Sequence, residues 1–401
     1  MGGNVSSRRQ SLGRLRLIMH SLVMLALGAT SGGINALQCP AVVVGTNNAA
    51  IDVPQVQEAV DGCSAVRLRG TFSFASTATD FPLRVVTVRT SVDIAGQYDD
   101  EGRLPQIRGG YTPILVDAPG SIVQIRALRF VNPVSHAVKV IAAMEAVVAN
   151  CTIKGLVADG ALAFGIAVSG TPESSINRVK LVNNTISDPS MPVAVGIIID
   201  ARDRRAIAST TISSNEILAT AHGVDLRSVG GIVKVNQNRI TIANSDRSGD
   251  AGAVPQLVNG IRCWGTGACN IFINSISSEH PNSAGIRLQG STGAIVENNR
   301  IQMSPPDGST PGLQNSGVQL IESSKRNLVS RNQVSGAART AYSVSGPSPD
   351  YIPADNVLVR NLHPDFASSF VDTEIAEGAL RTVVVDESGS ISDLGTASVV
   401  R

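Results

Sequence analysis

Aromatic residues make up only 3% of this 401-residue chain, so a core of stacked rings is excluded and the interior has to be aliphatic. Charge of one sign is lacking as well. Lys+Arg total 33 against 32 Asp+Glu, without the basic excess that neutralising nucleic-acid phosphates demands, which removes nucleic acid as a partner. No CxxC and no Cys/His cluster occurs, so no structural zinc is implied. The longest apolar run, Leu17 to Ala29, is about a dozen residues and too short to span a bilayer comfortably. Regular hairpin signals and long helical segments between strands are missing too, which removes β-sandwiches, propellers and TIM barrels.

What is abundant is glycine, at 38 residues, with Val, Ile, Ala, Ser and Asn, a composition that favours strands. Arg8, Arg9, Arg14 and Arg16 precede the short apolar run and small residues follow it, the layout of an export signal over residues 1–36 with cleavage after Ala29 or Ala36. No stable membrane span is expected after its removal, and the mature chain is expected in the periplasm, at the cell surface or outside the cell. Ser7-Arg8-Arg9-Gln10-Ser11-Leu12 also resembles the twin-arginine signal, so the route stays open, while Gln38 before Cys39 argues against lipid anchoring. In an oxidising compartment Cys39–Cys63 and Cys263–Cys269 are candidate disulfides, leaving Cys151 as a buried small hydrophobe.

A repeat organises the rest. The unit Gly, aliphatic, variable, apolar recurs from Gly165, Gly196, Gly223, Gly260, Gly285 and Gly317, and each copy is followed by a second short strand, an Asn and a third strand. The Asn positions are Asn184, Asn215, Asn238, Asn274, Asn299 and Asn332, with Asn150 and Asn361 as further candidates. From Gly to Asn the last four copies count 15, 14, 14 and 15 residues, whereas Asn to the next Gly counts 22, 11 and 18. A coil with one fixed half and one loop free to lengthen fits this asymmetry. Asn suits the bend because it tolerates left-handed torsions and because stacked copies can bond from coil to coil.

With this pattern the chain resembles the pectate-lyase-like right-handed parallel β-helix family, which carries an asparagine ladder between its second and third sheets. The resemblance implies an all-β, three-sheet solenoid of about ten coils over residues 65–365, with a short helical cap at Val56-Gln57-Glu58-Ala59-Val60 inside residues 37–64. Residues 366–401, with Thr382-Val383-Val384-Val385 and Ala397-Ser398-Val399-Val400, are expected to form closing strands or a cap.

Side chains alternate along a strand, so the first strand of each coil presents an outward stripe. It reads Ala167 and Ser169, Ile198 and Asp200, Asp225 and Arg227, Arg262 and Trp264, Arg287 and Gln289, then Gln319. In the family this sheet is where polysaccharide lies. The chain's single tryptophan can stack on a sugar ring, and arginines can pair with uronate carboxylates, which makes an acidic polysaccharide the expected partner. The catalytic candidates are Asp200, His222, Asp225, Arg227 and Arg262; Trp264, Arg287, Gln289 and Gln319 are the candidate substrate-binding residues.

His222-Gly223 followed by Asn259-Gly260-Ile261-Arg262 is similar to the late part of the polygalacturonase pattern; Arg262 matches its arginine, its lysine is lost, and its Asn-Thr-Asp and Asp-Asp units are absent. Hydrolysis needs paired carboxyl groups. A lyase needs a cation to neutralise the uronate and a base for the adjacent proton, roles that Arg227, Arg262 and Arg287 can fill while Asp200 and Asp225 either hold calcium or orient the arginines. No cofactor is fixed by sequence, and no calcium motif is distinct. The other reading is a non-catalytic surface or periplasmic scaffold or adhesin, and a monomer is expected in either case.

Overall fold

The computed structural model describes residues 39–75, 84–156, 163–186, 193–201, 203, 206–244, 257–304, 315–336, 340–346, 352–362, 371–385 and 390–401. The segment expected to be an export signal, residues 1–36, lies outside them. The described strands all pair in parallel, each with its counterpart one turn of chain away, and they wind a single-stranded right-handed parallel β-helix of three sheets.

One coil shows the build. Glu216–Arg227 runs through a corner: its first half lies in the third sheet beside Thr185–Ile186 and Arg239–Ile242, and its second half lies in the first sheet beside Val193–Ala201 and Val258–Trp264. Ile232–Asn236 then forms the second sheet, and Arg239–Ile242 returns to the third. The repeat glycine sits at the corner because nothing larger fits. A Cβ on Gly223 would lie 2.3 Å from Ile240 Cγ2 and 2.7 Å from the Gly260 carbonyl oxygen. Past it, Val224, Ile261, Ile286 and Val318 stack inward, fully buried, each contributing about 1.5–3 kcal/mol of transfer free energy.

The asparagine ladder joins the second sheet to the third. The Oδ1 of Asn238 accepts from both the backbone N (3.0 Å) and the Nδ2 (2.9 Å) of Asn215, and Asn238 bonds Asn274 in the same way. The chain of amides continues through Asn299 and Asn332 to Asn361. Two details differ from the expectation. The left-handed residue is the one before each ladder Asn: Asn183, Ser214, Gln237, Ile273, Asn298, Arg331 and Arg360 all have φ between 53° and 58°. The ladder amide therefore works through its hydrogen bonds, which outweigh the strain of roughly 1–2 kcal/mol in its neighbour. At the upstream end Asn150 is likewise the strained neighbour (φ 55°), and Cys151 takes the ladder position, donating its backbone N to Asn184 Oδ1 at 3.0 Å. Its thiol is buried, and that burial pushes its pKa up to about 12.

A shorter ladder at the bend between first and second sheets escapes the repeat. Asn327 Oδ1 accepts from Ala294 N at 2.8 Å, and Asn356 Oδ1 accepts from Asn327 N and Nδ2 at 3.2 and 3.0 Å.

The ends continue the same register. Ala41–Thr46 stacks on Ala65–Ser73 ahead of the first full coil, and the helix Ala49–Gly62 connects the two strands. Asp52 of that helix is buried and accepts from Thr46 N, Asn48 N and Ser73 N at 2.7, 3.0 and 2.7 Å, tying helix and strands together. Cys39 and Cys63 are disulfide-bonded across this connection, as are Cys263 and Cys269 between first and second sheets. At the other end Val383–Val385 and Val399–Val400 extend the second sheet in parallel, and Val371–Ile375 and Ile391–Asp393 extend the first.

Candidate functional site

Strand pairing places the outward residues of the first sheet in straight rows. One row runs Lys139, Ala167, Ile198, Asp225, Arg262, Arg287, Gln319, Ser343, one residue per coil and about 4.8 Å apart. The next runs Ser169, Asp200, Arg227, Trp264, Gln289. A third, just before the corner glycines, runs His136, Phe164, Val195, His222, Asn259.

Outward is not the same as exposed. Ile198 is only 7% accessible and Asp225 is 0% accessible. Over the upstream coils Ala167, Val195 and Ile198 form a separate apolar cluster with Phe164 packed on it, and His136 stacks on Phe164 with ring centroids 5.3 Å apart. Over the next coils the cover is cationic.

Asp225 is the fixed point there. Arg262 grips it bidentately, Nε to Oδ1 at 2.8 Å and Nη2 to Oδ2 at 2.7 Å, and Arg227 adds Nε to Oδ2 at 2.8 Å. Burial alone would raise this carboxyl, but the bonds and charges of Arg262, with His222 and Arg227 behind them, hold it below the ordinary aspartate value. It is thus an ionised acceptor with both oxygens engaged. Both oxygens orient arginines, one of the two roles open to it. Among the described residues no group of three or more His, Cys, Asp or Glu could hold a metal ion.

Arg262 also lies over the Trp264 ring, 5.5 Å from its centroid, while the indole keeps 44% of its surface accessible. Arg287 is different. It stands beside Arg262 in the row, its Nε is buried without a hydrogen-bond partner, and no carboxylate pairs with it among the described residues. Burial first, then the charge of Arg262, lowers it to about 10, with Glu322 pulling the other way. Glu322 Oε1 in turn accepts from Gln289 Nε2 at 2.5 Å.

His222 Nδ1 lies within hydrogen-bond distance of Asn259 Nδ2, at 3.2 Å. Burial lowers its pKa to about 4, with Asp225 opposing and Arg262 and Arg227 adding to the drop. It is neutral at pH 7. Asn259 keeps a buried Oδ1 with no partner, an acceptor awaiting a donor. Asp200 lies opposite Arg227 in the register, yet Arg227 turns to Asp225 instead. Gln319 is buried at the downstream end of the row.

The structure therefore brings Asp225, Arg227 and Arg262 into direct contact, sets His222 and Arg287 on either side, and leaves Asp200 outside the bonded group. Sequence reasoning missed Asn259 and Glu322. Asn259 had a usable signal, since it precedes Gly260 as His222 precedes Gly223.

No protein-family model and no curated protein matches the sequence. Among solved structures, a DFA-IIIase from Arthrobacter chlorophenolicus A6 in complex with DFA-III is similar at TM-score 0.56 and 13% identity, over 86% of this chain and 94% of that one. PfbA, a surface adhesin of Streptococcus pneumoniae, is similar at TM-score 0.50 and 11% identity, over 88% and 92%. The likeness is one of fold: this chain has the pectate-lyase-like right-handed parallel β-helix.

Proposed function

We propose that the chain is an exported carbohydrate-active β-helix that holds an acidic polysaccharide over Arg262, Trp264 and Arg287 and cleaves it by elimination. The observation that carries this is Arg287, a partly buried guanidinium with a buried, unpaired Nε and no carboxylate bonded to it among the described residues, beside an arginine that already has one. A buried cation left unpaired is costly unless an anion completes it. In this reading Arg262, fixed by Asp225, uses its remaining Nη1 donors to neutralise the uronate carboxylate, and Trp264 supports a sugar ring. Arg287, after its guanidinium has released a proton to solvent, takes the proton alpha to that carboxylate; the electron pair forms the new double bond as the glycosidic C–O bond breaks, and solvent protonates the leaving oxygen. Hydrolysis suits the site less well, because Asp225 is held ionised and cannot serve as the acid of a carboxyl pair.

The second reading is a non-catalytic scaffold, favoured by the single tryptophan of the stripe and by the likeness to a surface adhesin. The test incubates the mature protein with polyuronates, glycosaminoglycans and neutral glycans, with and without calcium, following reducing ends and unsaturated-uronate absorbance together. Elimination predicts both signals, a rate that rises with pH toward 10, and loss of both in Arg262→Ala. Reducing ends alone would establish hydrolysis, and silence on both channels with retained binding would establish the scaffold.

A further inference from the structure

A second cationic hollow lies on the outer face of the third sheet, near the upstream end and away from the first-sheet site. It is about 280 Å³ in volume and is lined by Arg103, Leu104, Arg129, Thr152 and Lys154. Its floor is set by strand register. Arg129 of Arg129–Val131 pairs with Thr152 of Thr152–Lys154, and Lys154 stands two residues on, pointing to the same side. The three side chains therefore converge from two adjacent coils.

Two of the three charges have no carboxylate partner among the described residues. Arg129 has a buried Nε with no hydrogen-bond partner, and neither Arg129 nor Lys154 has a carboxylate partner among the described residues. Downstream in the same outward row come Thr185 and only then Glu216, two coils beyond Thr152. Arg103 is already committed, donating from Nε to Asp99 at 2.8 Å and from Nη2 to Glu101, so it closes the rim while Leu104 forms an apolar wall.

We infer that this hollow is a binding site for a compact oxyanion, with Arg129 and Lys154 supplying charge and Thr152 a hydroxyl. Its volume falls just below the range of about 300–1,000 Å³ usual for small-molecule pockets, which suits a single anionic group better than a stretch of chain. A free tetrahedral anion and the carboxylate of a sugar acid share this chemistry, and the experiment separates them.

Calorimetric titrations with inorganic phosphate and with D-galacturonate are made in parallel on the unaltered protein and on Arg129→Gln, and only heat lost in Arg129→Gln is assigned to this hollow, since the first-sheet face keeps its Arg262 donors in both. A saturable one-site heat with either probe is expected; phosphate alone assigns a tetrahedral anion, and galacturonate alone a carboxylate. Arg129→Gln should weaken it about tenfold or more, as loss of a charge-assisted bond does. Lys154→Gln, at an exposed position that leaves folding intact, should weaken it by a smaller factor and reduce its salt dependence. No saturable heat with either probe, or full retention in Lys154→Gln, would overturn the assignment.

Discussion

The outer face of the first sheet carries two regions built on the same rows. Upstream, the positions hold Phe164, Ala167, Val195 and Ile198, and they close into a small apolar cluster of their own. One coil further, the same positions hold His222 and Asp225, then Asn259 and Arg262, and the cover becomes a network of charge. From Val195 and His222 onward the register is constant between them, and the corner glycine is kept. The scaffold thus fixes where a side chain stands, and the residue alone decides whether that place is core or site. The two halves also bury their groups at different risk, since an apolar cluster loses packing when cut, whereas a charge network strands what is left.

The largest effect is expected at Asp225. Asp225→Asn leaves Arg227 and Arg262 facing each other without a counter-charge and should cost about 3 kcal/mol, read from the denaturant midpoint, together with loss of polyuronate binding. Ile198→Ala, its counterpart one coil upstream, should cost about 2 kcal/mol and leave binding intact. Equal loss of binding in both would erase the division between the regions.

The next comparison uses acid. Both His136, in the apolar region, and His222, in the polar one, fall to about 4, burial being the first cause in each. Each binds its proton less readily folded than unfolded, so stability should be lost as pH falls from about 6.5 to 4, by at most about 1.4 kcal/mol per pH unit for each residue. His222→Gln should remove its share of that slope and His136→Gln the other, in melts recorded across this window. Asp225 acts in a lower window: its lowered value contributes stability above the ordinary aspartate range that is lost as pH falls through the folded value.

The smallest stability change is expected at Arg287. Arg287→Gln removes a partly buried cation with no bonded carboxylate among the described residues, so the midpoint should move by less than about 0.5 kcal/mol or rise, while polyuronate cleavage is lost. A large destabilisation there would show that Arg287 has a structural partner.

The coil was legible because its constraints repeat. Gly223 and its equivalents are forced by a neighbouring isoleucine and carbonyl, and the ladder Asn by a donor and acceptor that every coil must satisfy. The shorter ladder was not legible, since Asn327 and Asn356 are only two copies at a bend that elsewhere uses other residues. For the site, period-two alternation found the Asp225 and Arg227 rows. It missed the row of Phe164, Val195 and Asn259, because the chain kinks at the glycine between that row and the next. Which arginine stays unpaired could not be read either: Asp225 has Arg227 two residues along and Arg262 directly opposite, and only side-chain geometry gives it to both and leaves Arg287 out.

The ladder also has a direction. The backbone N and Nδ2 of Asn215 both donate to Asn238, those of Asn238 to Asn274, and those of Asn274 to Asn299, so the acceptor always comes from the later coil. Each amide meanwhile reaches back to a carbonyl of the coil before it, as Asn238 Nδ2 does to Ile212. A turn of chain is thus finished only by its successor. A coil without a successor keeps two donors open, so each amide ties its own coil to both of its neighbours.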